Sequence, residues 1–97
     1  MKTFDLWRTG MNVLQIAESL KIQTTTVYSH LAQLITENKI NNYNTIIADY
    51  EIVSVKNAIA KLGGTELLKP IYDQLDGAIE YGKIRVAISI LKKDGRI

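Results

Sequence analysis

The residues best suited to act on a partner lie in one short stretch, Lys21, Gln23, Thr24, Thr25, Tyr28 and Ser29. Short hydroxyls and amides at helical spacing can donate to phosphate oxygens or to base edges, and a tyrosine can reach a phosphate or a thymine methyl. A helix starting near Thr24 would also aim free N–H groups and the positive end of its dipole at a phosphate. Lys21 and Arg8 can add positive charge beside that helix start. The chemistry these groups suit is nucleic-acid contact, not bond making.

Other reactive side chains do not converge. His30 is the single histidine and the chain has no cysteine, so no second soft ligand exists to complete a zinc site. A place between packed helices suits His30 better than a phosphate contact. Ser29 and His30 are consecutive, hence about 100° apart on a helix, and cannot form a nucleophile–base pair there. Asp73, Asp76 and Glu80 fit a solvated helix end better than a pair of acid–base carboxylates. No G-x-x-x-x-G-K-[ST] segment is present to cradle a nucleotide. The expectation is a non-enzyme with no cofactor and no small-molecule substrate.

Two further groups admit a second reading. Phe4 and Trp7 can stack bases, but their spacing is that of core residues. Lys83, Arg85, Lys92, Lys93 and Arg96 can form a face that tracks phosphates, or simply a solvated helix face. Tyr43 and Tyr50, in or beside a loop, are uncommitted.

These groups need elements to hold them. Apolar residues recur at three and four throughout, and strict alternation persists nowhere, so the chain is expected to be all-α with about six helices. A first helix is expected over residues 3–9, stopped by Gly10. Asn12 opens a second through a capping box with Gln15, with Leu14, Ile16, Ala17 and Leu20 buried. After a break at Lys21, Ile22 and Gln23, a third runs from Thr24 to about Glu37, with Val27, Leu31, Leu34 and Ile35 inward. Residues 39–44 read as a loop, with room at most for a miniature wing. The second half is expected to hold helices over about 49–62, 65–75 and 81–93. Pro70 would move the start of the middle one to about Lys69.

Residues 12–37 carry more than two helices. Ala17 is small enough for a close crossing, Ile16 and Leu20 flank it, Ile22 fills the turn, and Val27 lies ten residues on. Those offsets describe a helix-turn-helix whose second helix can enter a major groove. Lys21 occupies a place where such turns favour glycine, because the backbone there is left-handed.

Size and composition set the outer limits. A chain of 97 residues that is 46% hydrophobic and 23% charged makes one ordinary globular domain, 1–97, with a helix-turn-helix core and a C-terminal helical portion over about 49–93. No apolar run is long enough to span a membrane, and the start lacks the apolar stretch of a signal peptide. The absence of cysteine fits a cytoplasmic setting. The net charge of +2 is modest for a nucleic-acid binder.

Residues 10–20, with Ile22, Thr26, Val27, His30 and Leu31, resemble the LuxR and sigma-factor style of helix-turn-helix. With the Leu-Lys-Pro-Ile run at 68–71 and Tyr-Gly-Lys-Ile-Arg at 81–85, nearly the whole chain resembles the C-terminal helix-turn-helix domain of bacterial RecQ-type DNA helicases. That resemblance implies a fragment of an ATP-dependent helicase, with a role in DNA repair and recombination. It also implies DNA as partner, with weak sequence selectivity, and contact with other domains of the same parent protein. Two alternatives stay open. One is a stand-alone transcription regulator, which would need a dimer. The other is a protein-docking module, which an exposed apolar patch over Val86, Ile90 or Ile47 would favour.

Overall fold

A computed structural model describes residues 1–97. Six α-helices account for the regular structure: α1 Lys2–Arg8, α2 Val13–Leu20, α3 Thr24–Thr36, α4 Asp49–Lys61, α5 Leu68–Gln74 and α6 Tyr81–Lys93. A single 3-10 turn, Tyr43–Thr45, interrupts the connection after α3. No strand forms, so residues 39–44 make no wing.

Local chemistry explains the boundaries. Asn12 Oδ1 accepts from the Gln15 backbone N–H at 2.8 Å, and Gln15 Oε1 accepts from the Asn12 N–H at 2.9 Å. This closes the start of α2 by satisfying two donors that the helix leaves free. The helix ends at Lys21, whose φ of 56° and ψ of 44° are left-handed. That conformation turns the chain so that the Ile22 N–H reaches the Ala17 carbonyl at 3.0 Å. Gly10, at φ 96°, ends α1 without the strain a side chain would add there. Pro70 is the third residue of α5, within the first turn, where a helical N–H has no intrahelical acceptor and its absence costs nothing. The helix therefore starts at Leu68, three residues later than the apolar spacing from Thr65 implies.

One cluster of 23 buried apolar residues runs through the molecule. At its centre α3 lies against α6, with α1 and α2 on one side and α4 and α5 beyond α6. Because it is covered from two sides, α3 buries two stripes: Val27, Leu31 and Leu34, then Tyr28, Ala32 and Ile35. Thr3 of α1, fully buried, shares a 2.7 Å hydrogen bond with Nδ1 of the half-buried His30. That bond supports the structural role expected of the histidine. Glu51, in the first turn of α4, accepts from the Ala48 N–H at 3.0 Å and pairs with Lys83 of α6 at 3.3 Å.

One packing expectation fails. Leu14 is 59% exposed, because α2 turns only its Ile16–Ala17 side fully into the core. The apolar patch over Val86, Ile90 or Ile47 that would favour a docking module is absent; each residue is at most 1% exposed. The last helix is apolar on more than half its circumference because α3, α4 and α5 all pack on it.

Candidate nucleic-acid interface

Residues α2, the turn and α3 assemble as the sequence spacing requires. Lys21, Gln23, Thr24 and Thr25 gather at the start of α3, beside Leu14, Ala17, Glu18 and Ile22, around one shallow cleft. Lys21, Gln23 and Thr25 are exposed and Thr24 is half-buried. The start of α2 is closed by its capping box, whereas no side chain caps α3. The first N–H groups of α3 are thus open to an acceptor from outside, with the Lys21 ammonium next to them.

Further along, Thr25, Thr26 and Ser29 face Tyr81, Gly82 and Arg85 of α6, with Leu68 beside them. Ser29 is half-buried, and its hydroxyl donates to the Thr25 carbonyl at 3.1 Å, so its proton is already committed. Thr26 is exposed on this face. Thr26 belongs to the helix-turn-helix pattern but not to the contacts expected from the sequence; its i,i+3 relation to Ser29 places both on one side of the helix.

Two of the expected contacts lie elsewhere. Tyr28 does not face outward: it is 7% exposed and packs over Gly82 at the start of α6. Burial, followed by the nearby Glu80 and Glu51 carboxylates, pushes its hydroxyl up to about 12, so it stays neutral at any ordinary pH. The sequence carried a signal for this, since Tyr28, Ala32 and Ile35 repeat at i, i+4 and i+7. Arg8 does not sit beside the start of α3 either. Its guanidinium lies over the Phe4 ring, 5.5 Å from the centroid. It lines a separate cleft with Trp7, Asn12, Lys39 and Asn42, at the other end of α3, because α1 and α2 meet where α3 finishes.

Phe4 and Trp7 are half-buried against the core. Tyr43 is half-buried and Tyr50 is 73% exposed. The cations of α6 divide. Lys83 pairs with Glu51, Lys92 with Glu66 at 3.1 Å, and Lys93 donates to Asn41 Oδ1 at 3.4 Å. Arg85 is exposed and makes no ion pair or side-chain hydrogen bond.

An all-α domain with a capped first helix, a left-handed turn and a second helix with an open start is a helix-turn-helix protein. The chain matches the model of the family described as "Helix-turn-helix domain" over residues 1–88, and it belongs to that family. Membership points to DNA as the partner. No curated protein and no solved structure matches the chain. No helix is long and apolar enough to cross a membrane.

Proposed function

We propose that this chain is a non-catalytic DNA-binding accessory domain, similar to the C-terminal part of a RecQ-type helicase and acting in the cytoplasm. The observation that carries the DNA reading is the gathering of Lys21, Gln23, Thr24 and Thr25 around the uncapped start of α3. Free N–H groups and one cation hold a phosphate, while the amide and hydroxyls reach base edges or further phosphates. The α3 segment itself contains no Lys, Arg, Asp or Glu, so its contribution is hydrogen bonding, with weak sequence selectivity. The helicase assignment is supported by the runs at 68–71 and 81–85, together with the length over which the chain resembles that family.

The test is a fluorescence-anisotropy titration with duplex, forked and single-stranded DNA at two salt concentrations. The expected result is binding that weakens steeply with salt, strongest on forked DNA. A triple variant, Lys21→Gln with Gln23→Ala and Thr25→Ala, should lose about tenfold or more in affinity. Sequence-selective duplex binding by a dimer would favour a stand-alone regulator instead. No binding to any of the three DNAs would sink the proposal and leave a protein-docking role.

A further inference from the structure

We infer that the trough between α3 and α6 is a phosphodiester track, and that Arg85 is its principal cation. The inference rests on the DNA-binding reading above and adds α6 to the surface that meets the nucleic acid. The two helices run in the same direction: Thr25, Thr26 and Ser29 lie opposite Tyr81, Gly82 and Arg85, and Thr36 lies opposite Arg85, Ile88, Ser89 and Lys92. Arg85, with Leu68 of α5, lines both clefts, so the two adjoin at that residue and together follow the length of α3. From Thr25 to Thr36 the helix rises about 16 Å, the length of about five nucleotides of one strand.

Charge supports a polyanionic occupant. No charged residue lies in α3, so a strand laid along its outer face must find its cations elsewhere. The trough supplies Arg85, Lys92 and Lys93 against one carboxylate, Glu66. That carboxylate is engaged by Lys92 at 3.1 Å, which leaves Arg85 and Lys93 without an acidic partner. Thr25, Thr26 and Ser89 have side-chain hydroxyls that make no hydrogen bond within the protein, whereas Ser29 and Thr36 donate to backbone carbonyls of their own helix. A planar guanidinium flanked by free hydroxyls matches the geometry of a phosphate group.

The residues around Arg85 show why it stands apart. Tyr81 stacks on Tyr72 with ring centroids 4.4 Å apart. Gly82 admits the Tyr28 ring, Lys83 pairs with Glu51, and Ile84 is fully buried. Within residues 81–85, Arg85 alone has no structural partner. A long charged side chain held by nothing inside the protein is available to something outside it.

Arg85→Gln, an exposed change that leaves packing untouched, is the decisive variant. Lys61→Gln on α4 removes the same charge far from the trough, beside Ser54 and Gln74. The expected result is an Arg85→Gln loss of about threefold to tenfold, with the slope of log affinity against log salt shallower by about one. Lys61→Gln should stay near wild type. A loss on duplex DNA identifies one edge of a groove as the occupant, and a loss confined to single strands identifies an unpaired strand; either supports the track. Equal effects of Arg85→Gln and Lys61→Gln, with wild-type binding intact, overturn the track and leave the DNA reading standing. No wild-type binding at all overturns both.

Discussion

The two halves of the chain carry the same formal charge, four basic and three acidic residues in 1–45 against eight and seven in 46–97. The groups they offer to a partner are nonetheless different. The first half presents hydroxyls, an amide and open N–H groups at the start of α3, with Lys21 as the one adjacent cation. The second half presents Arg85, Lys92 and Lys93 on α6, alongside the same face of α3. Hydrogen-bonding groups fix register and read edges, whereas cations set salt-dependent affinity. The helix-turn-helix unit therefore supplies shape and hydrogen bonds, and the C-terminal helix supplies most of the charge. The equal net charge of the two halves conceals this division, because Glu66 is the one acidic residue lining the trough.

The largest way to break the comparison is to separate the halves. In Gly82→Ala the new Cβ would collide with Tyr28 Cδ2 and stand 2.8 Å from Tyr28 Cβ. Overpacking at the α3–α6 crossing should outweigh the gain of about 1 kcal/mol in helix propensity, for a net loss of about 1–3 kcal/mol. Thermal unfolding would show it as a clear fall in midpoint; an unchanged or higher midpoint would mean that the helices are free to slide apart.

A smaller cut removes the ion pair that ties α4 to α6. Glu51 is 7% exposed and makes both the Ala48 hydrogen bond and the Lys83 pair. Glu51→Ala should cost about 1–2 kcal/mol through loss of the helix-start contact and of a partly buried partner. A double-mutant cycle with Lys83→Met should give a coupling of at least about 0.5 kcal/mol. A coupling near zero would reduce the pair to the standing of a surface bridge.

The smallest effect sharpens the comparison at Lys21. Glycine accepts the left-handed turn without a Cβ penalty, so Lys21→Gly should raise stability by about 0.5–1 kcal/mol. It should at the same time weaken DNA binding and flatten its salt dependence by about one phosphate contact. Higher stability with unchanged affinity would assign the lysine no part in binding.

Much of the fold is legible without coordinates because it depends on neighbours within one helical turn. The Asn12–Gln15 box, the left-handed Lys21, the small Ala17 and the full extent of α6 all follow from spacing and side-chain type. The placement of Pro70 in the first turn of α5 follows in the same way. The first half of the candidate site, from Lys21 to Thr25, is local in this sense too.

The remainder depends on which elements meet, and no local rule fixes that. Tyr28 is a plausible outward residue until Gly82, more than fifty positions away, brings α6 against it. Arg8 is near α3 in sequence yet ends at its far end, because the path of α1 is set by packing. Leu14 has the period of a core residue and remains in solvent, because nothing covers that side of α2. The sequence by itself determined six helices, the cap of α2 and a helix-turn-helix, through interactions that span a few residues. Only the tertiary structure decided which face of α3 stays open and that Arg85 stands beside it, because burial is a property of distant surfaces brought together.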